Sequence, residues 1–333
     1  MKPVQVSIVI PSYNCASYIR EALESVFAQT YRGYEIIIVD SSTDETTSIL
    51  RSYGDQLMVV WQMAGGVAAA RNVGLSKARG QFVALLDADD RWEPDLLETS
   101  VAALTAHPQA VMSFTGFQKV GASENGRPSR QRAPFQAWVA AHRTNGSEVT
   151  VGNLHPILLW GNVVPTSSVL LRREQALAVG MFDESFPIAE DWEYWLRLTL
   201  RHPVAYIDRH LASYRLRDTG LSGPAAGRSQ RFLSLHLRAL EKHMAQEGDR
   251  LTPDTREIIQ RRVAALRYRL GASHLKAGEA RRAFHEIGSS LRLRKTVGLE
   301  FAGEESSWLR RCWLVLKPYG VWAASRFVRE GRS

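Results

Sequence analysis

Four short apolar runs in the first part of the chain, residues 6–10, 34–39, 57–61 and 82–86, are rich in Val, Ile and Leu, and three of them stop at Pro11, Asp40 or Asp87. Their length and continuity predict four strands, of which 34–39 reads as buried and 82–86 as buried on both faces. Between them, residues 16–29, 45–53 and 65–79 place apolar side chains at helical spacing, and the polar loop of residues 41–46 supplies a cap for the second helix. This alternation of strand and helix predicts a parallel, doubly wound α/β sheet.

The pattern then loosens. A helix to about residue 106, a strand at 110–117, an irregular polar stretch at 121–132, a strand at 165–172 and a loop at 182–187 lead to a strong helix at 192–200. That helix is opened by Ala189-Glu190-Asp191 and carries Trp192, Trp195, Leu196 and Leu200. A short strand at 204–207 follows, and residues 212–217 extend it or lie beside it. From residue 227 the chain is Arg- and Leu-rich and predicts helices at 230–246, 255–275 and 279–292. Residues 270–283 resemble one tetratricopeptide-like hairpin, although no period repeats. The last stretch, 307–329, interleaves Trp308, Trp313, Trp322 and Phe327 with Arg310, Arg311, Lys317 and Arg326. It reads either as a packed helix or as a basic amphipathic contact with a membrane surface.

Ligands of open α/β sheets bind beyond the carboxyl ends of the strands. The sequence places Pro11-Ser12-Tyr13, Asp40 and Asp87-Ala88-Asp89-Asp90 there, so a Tyr ring and a group of carboxylates share one rim. Clustered carboxylates repel one another unless they are solvated, protonated or neutralised. Oxygen ligands on a short loop suit a hard divalent ion that completes its shell with water and substrate phosphates. A solvated acidic loop leading into a helix near Pro94 accounts for the same residues without a metal. Glu190-Asp191 also has two readings, as carboxylates favoured in a helix's first turn or as a general base over the rim. No G-x-G-x-x-G or P-loop follows any strand, so a phosphate would be gripped by metal and by Arg71 or other basic groups.

Composition narrows the partners. The 333 residues suffice for a large core with an appendage, and 45% hydrophobic with 23% charged residues describes an ordinary globular protein. A net charge of +8 favours anionic partners, yet no nucleic-acid motif accompanies it, which points away from nucleic acid. Only Cys15 and Cys312 are present, which argues against a disulfide framework. The opening residues lack a signal-peptide h-region and no apolar segment reaches 18 residues, so a cytoplasmic location is expected.

Several short motifs in order resemble the family 2 glycosyltransferases, with the GT-A fold. They are Ile10-Pro11-Ser12-Tyr13-Asn14; Val39-Asp40 with Ser42-Thr43-Asp44; Ala70-Arg71-Asn72-Val73-Gly74; Leu86-Asp87-Ala88-Asp89-Asp90; and Phe182-Asp183-Glu184 with Glu190-Asp191-Trp192. The resemblance implies a mixed, mainly parallel doubly wound sheet with flanking helices over residues 1–226, divided into a nucleotide-binding half, about 1–120, and an acceptor half, about 121–226. Residues 227–333 are then a helical C-terminal region that could associate with membrane or partner. It further implies that Pro11, Tyr13 and Asp40 contact the base and ribose of a nucleotide-sugar and that Arg71 lines the donor pocket. Asp89 would bind Mn2+ or Mg2+, with Asp87 nearer the ribose. Asp191 would be the catalytic base, supported by Glu190. Asn162 and Trp192 are candidates for the acceptor side.

Two departures matter. The loop Asp40-Ser41-Ser42-Thr43-Asp44 is one residue shorter than the family's usual D-D-G-S-T-D and lacks a second carboxylate beside Asp40. Where many members carry Y-R-x-H, this chain has Tyr214-Arg215-Leu216-Arg217, so Arg217 stands as a donor-binding cation in place of a His ligand. The expected activity is an inverting, metal-dependent transfer of one sugar, UDP-linked, to a hydroxyl of a glycan or lipid-linked acceptor, with peripheral contact at the cytoplasmic membrane face. The absence of Q-x-x-R-W argues against processive synthesis. The competing readings are an inactive module of the same fold and a nucleotidyltransferase.

Overall fold

The computed structural model describes residues 4–63, 65–121, 127–128, 133–144, 146–216 and 230–296. Arg217, Cys312 and the stretch 307–329 lie outside the described residues. The chain begins as expected: β1 (Val6–Ser12), α1 (Ile19–Phe27), β2 (Tyr34–Asp40), α2 (Thr46–Arg51), β3 (Met58–Trp61), α3 (Gly66–Lys77) and β4 (Phe82–Leu85). There follow β5 (Arg91–Trp92), α4 (Leu96–Ala106), β6 (Met112–Val120), β7 (Arg127–Pro128), α5 (Ala133–His142), β8 (Val149–Gly152) and α6 (His155–Leu158). Next come β9 (Leu170–Arg172), α7 (Arg173–Ala178), α8 (Glu190–Thr199) and β10 (Val204–Arg215). The described chain ends with α9 (Gln230–Glu247), α10 (Pro253–Lys276) and α11 (Ala280–Thr296).

The main path of the sheet runs β3-β2-β1-β4-β9-β6-β10-β5. The pairs β2/β3, β1/β2, β1/β4 and β6/β10 are parallel. Short β9 inserts antiparallel between β4 and β6. The expected mixed, mainly parallel α/β sheet with a helical C-terminal extension is therefore found. Strand order reverses between β1 and β4, which is where such sheets open a crevice for ligand. Helix α3 sits on β1 through Gly74, whose hypothetical Cβ would fall 2.2 Å from Val9 Cγ1; any larger residue would push the helix and its Arg71 outward.

Residues 165–172 were expected to form one strand. Only Leu170–Arg172 pairs; Thr166–Ser168 form a 3₁₀ turn instead. Pro165 lacks an N–H, and the hydroxyls that follow find other partners, which favours the turn over a ladder. Residues 204–207 and 212–215 belong to the single strand β10, with irregular register between Ile207 and Ala212.

The chain divides into two units, Met1–Arg228 with Arg238–Arg250, and Ser229–Leu237 with Leu251–Ser333. The first thus takes in the C-terminal half of α9. In the second, α10 and α11 form the hairpin suggested by the sequence, turning at Gly278 with φ +77°. Gly271 brings the two helices together, since a Cβ there would lie 2.6 Å from Ile287 Cγ1 and 3.0 Å from Ala283 O. No helix of the described residues is long and apolar enough to cross a membrane.

Candidate active site

The site begins at the ends of β1 and β2. Asp40 is buried, and its carboxylate accepts from Ser12 Oγ at 2.6 Å, Ser42 Oγ at 2.7 Å, Ser42 N at 3.3 Å and Thr47 Oγ1 at 3.3 Å. A carboxylate offers about four acceptor positions, so Asp40 is largely spent on organising its own loop. Asn14, in the left-handed region at φ +48°, donates its N–H to Ser42 Oγ and accepts from Thr43 N, which joins the loops after β1 and β2. Tyr13 projects beside them, 60% exposed, while Pro11 is part of β1 and only half-buried.

The acidic loop after β4 divides its carboxylates by environment. Asp90 is buried, accepting from Ser167 Oγ at 2.5 Å and Arg215 N at 2.8 Å. Burial is the largest influence raising its pKa, followed by repulsion from Asp87 and Asp89. Asp90 is therefore a structural member and is not on the open rim as the sequence suggested. Asp87 and Asp89 are half-buried. Arg215 closes the loop from outside, its Nε donating to Asp89 O and its Nη2 to Glu21 at 2.5 Å.

Arg71 joins this loop to α8. It is 2% exposed, donating from Nη2 to Asp87 Oδ1 at 2.7 Å and from Nη1 to Glu190 Oε1 at 2.6 Å. Burial alone would lower its pKa, but the carboxylates of Asp87, Glu190 and Asp191 overcome that and raise it, so the guanidinium stays charged. Its neighbour Asn72 holds the segment before α8, donating to Phe182 O at 3.0 Å and Glu184 Oε1 at 2.9 Å and accepting from Phe182 N.

Asp191 is half-buried in the first turn of α8. Its Oδ2 accepts from Asn162 Nδ2 at 2.8 Å and Thr166 Oγ1 at 3.0 Å, and its Oδ1 from Trp192 N at 2.7 Å. Burial raises its pKa and Arg71 opposes, leaving it raised. Glu190, deeper at 6% exposed, is pushed up to about 7 by burial against the pull of Arg71, with Asp191 adding to the rise. A raised pKa suits a proton acceptor working near neutrality.

Two acceptor-side expectations change. Trp192 is fully buried, with Nε1 donating to Leu158 O at 2.8 Å, so its ring is core and does not line an open surface. Asn162 spends its amide on Asp191 and its carbonyl on Val164 N, which makes it a support for the carboxylate. Arg217 lies outside the described residues. The sequence reading missed Thr166, Ser167 and the role of Asn72; the hydroxyl run after Pro165 was the available signal.

Among the described residues, no three His, Cys, Asp or Glu side chains form a ready-made cation cage. In the acidic loop itself Asp87 and Asp89 are the half-buried carboxylates, which fits a hard ion that takes most of its ligands from water and a substrate diphosphate.

The family model described as Glycosyl transferase family 2 matches residues 7–153. The putative teichuronic acid biosynthesis glycosyltransferase TuaG of Bacillus subtilis is 31% identical over 227 residues, spanning 66% of this chain and 82% of that protein. An uncharacterized glycosyltransferase of Rickettsia typhi is 28% identical over 260 residues, 76% of this chain and 77% of that one. The mannosyltransferase PcManGT of Pyrobaculum calidifontis, solved with GDP-Man and Mn2+, is similar at TM-score 0.57 and 19% identity over 97% of this chain and 84% of that one. S. aureus TarS residues 1–349 with UDP-GlcNAc is similar at TM-score 0.53 and 18% identity, covering 86% and 92%. The structural likenesses carry the fold.

Proposed function

The chain belongs to glycosyltransferase family 2 and has the GT-A fold, and from that premise we propose that it transfers one sugar from a nucleoside-diphosphate donor, UDP-linked, to an acceptor hydroxyl with inversion at the anomeric carbon. The observation that supports this reading is the chain of contacts Asp87–Arg71–Glu190 beside Asp191, which joins the acidic loop after β4 to the first turn of α8. Tyr13 and the loop ordered by Asp40 would receive the nucleoside. Asp89 and Asp87 would hold Mn2+ or Mg2+, which supplies charge stabilisation to the leaving diphosphate. The binding of GDP-Man with Mn2+ by PcManGT supports that role for a divalent ion here.

Asp191 does the remaining chemistry. An acceptor hydroxyl is a weak nucleophile until a positioned base takes its proton, and one base opposite the leaving group gives a single displacement. Asn162 and Thr166 fix the carboxylate, and Arg71 keeps Glu190 and Asp87 from repelling it. A cytoplasmic location and a glycan or lipid-linked acceptor complete the proposal. The test is a panel of UDP- and GDP-sugars with Mn2+ or Mg2+, assayed for nucleotide release. Metal-dependent release from at least one donor is expected; no binding of any nucleotide with metal present would refute the reading.

A further inference from the structure

The Arg238–Arg250 part of the first unit brings two cations of α9 to the segment that delivers α8. Lys242 Nζ donates to Asp183 Oδ2 at 2.7 Å and to Glu193 Oε1 at 2.7 Å. Arg238 Nη2 donates to Ser185 Oγ at 2.7 Å. Both cations lie over the Phe186 ring, at 4.7 Å for Arg238 and 5.6 Å for Lys242. Asp183 precedes Glu190-Asp191 in the chain and Glu193 follows it. Lys242 therefore closes a ring of chain that contains the candidate base.

That ring needs closing. Ala189, immediately before Glu190, has φ +65°, a left-handed conformation that a non-glycine residue rarely adopts. Such backbone persists only where its surroundings over-determine it. Asn72 fixes one side through Phe182 and Glu184. The other side rests on Lys242, whose two partners are themselves anchored: Glu193 is 3% exposed and doubly bonded by Arg197 at 2.9 Å. Burial pushes the Asp183 pKa up, but bonds from Lys242 and Ser185 outweigh it and hold the group at about 2. Asp183 therefore remains an anion for Lys242 at any working pH.

On the reading of Asp191 as the base, we infer that Lys242 is a positioning residue for the reaction: by tying the 182–186 loop to α8 it sets the direction of the Asp191 carboxylate without touching substrate. A misplacement of about 1 Å in a catalytic group costs on the order of 100-fold in rate, so loosening this tie should appear in turnover before it appears in binding.

The test uses the full chain with Lys242→Met, assayed for hydrolysis of UDP-GlcNAc and GDP-mannose with Mn2+, and titrated with UDP and GDP. A fall in kcat of about tenfold or more is expected, with KM for donor and Kd for nucleotide within about twofold of wild type, and with the acid limb of the pH–kcat profile displaced. Lys242→Arg, which keeps a cation between Asp183 and Glu193, should recover most of the rate. Arg250→Gln, which removes the ion pair with Glu247 beyond the end of α9, should leave kcat unchanged. If Lys242→Met does not fold, Asp183→Asn removes one arm of the tie and is judged by the same criteria. An unchanged kcat, or equal losses of kcat and nucleotide affinity, would overturn the inference. Asp191→Asn measured in parallel separates the two readings: if that variant still hydrolyses donor at the wild-type rate, the base assignment falls instead.

Discussion

Asp191 holds three hydrogen bonds that fix its carboxylate from two directions, and the two side chains on Oδ2, Asn162 and Thr166, come from a segment far away in sequence. With Asp191 as the proposed proton acceptor, removing it and removing its supports should therefore differ in degree. Asp191→Asn is expected to lower transfer by about 100-fold or more with nucleotide affinity nearly unchanged, and Thr166→Val by about tenfold, measured as kcat against Kd. Glu190 gives a signal in stability. Its folded-state pKa of about 7 lies above its ordinary 4.5, so the folded protein holds this proton more tightly than the unfolded chain. Its contribution is fully present below about pH 4.5 and is lost as pH rises through about 7. Glu190→Gln should remove that slope, and the wild-type minus variant difference in unfolding free energy should become less favourable to wild type between pH 5 and pH 8. At this scale the sequence exposed the residues more clearly than their partners. The Glu190-Asp191 pair is legible as a motif, but Asn162 and Trp192 sit close enough to it in pattern to look like acceptor contacts. Only the fold shows that Asn162 bonds Asp191 and that Trp192 is core.

Helix α3 illustrates how an element turns a short motif into geometry. Three of its residues face three directions: Gly74 onto β1, Asn72 onto the loop before α8, and Arg71 between Asp87 and Glu190. Arg71→Met would leave two carboxylates without their cation in a largely buried position, a change expected to cost about 3–5 kcal/mol in denaturant unfolding. Arg71→Lys should recover only part, because a single ammonium cannot reproduce the forked reach to both partners. Helix α9 makes a second buried contact of a different kind. His155 on α6 and His243 on α9 are both buried, with their Nε2 atoms 2.9 Å apart. Burial, then the neighbouring histidine, lowers His155 to about 3; burial lowers His243 to about 4 against the nearby Glu247 and Glu193. Both stay neutral in the folded state while the unfolded chain takes up protons below about pH 6.5. Stability is thus present above pH 6.5 and lost as pH falls toward 4, the opposite sign to Glu190. His155→Phe should flatten the acid side of the stability profile, read from urea midpoints between pH 7 and pH 4.5. Neither contact was legible beforehand, since periodicity marks α9 as a helix but not which of its residues meet α6 and α8. The turn at Thr166–Ser168 was hidden for a related reason: an apolar run after polar residues looks like one strand until its hydroxyls find partners in Asp191, Asp90 and Thr115.

Across the whole molecule β1, β2 and β4 were legible because buried parallel strands need continuous apolar runs and cannot disguise them, while edge strand β3 keeps Met58 and Trp61 exposed. The insertion of β9 between β4 and β6 was not, because a strand of only Leu170–Arg172 carries too little pattern to announce its neighbours. That insertion matters, since it carries Ser167 and Thr166 to the acidic loop and to Asp191. The resulting rim has two half-buried carboxylates, Asp87 and Asp89, proposed above as cation ligands, with Asp87 already bonded to Arg71 and Asp90 withdrawn into the interior. A divalent ion held by so few protein oxygens depends on the substrate for the rest of its shell. Metal and nucleotide should then bind with strong positive coupling, and the coupling must be the same from either side. Isothermal titration of Mn2+ is expected to show weak binding to the protein alone and affinity at least about tenfold higher once UDP is present, with UDP strengthened by the same factor when Mn2+ is added first. Removing metal with a chelator should abolish activity while leaving the thermal midpoint of the nucleotide-free protein within about a degree, because no three His, Cys, Asp or Glu side chains among the described residues form a cage for an ion. Tight Mn2+ binding without nucleotide would show instead that residues beyond the acidic loop complete a cage, and would overturn the assignment of Asp87 and Asp89 as a substrate-dependent site.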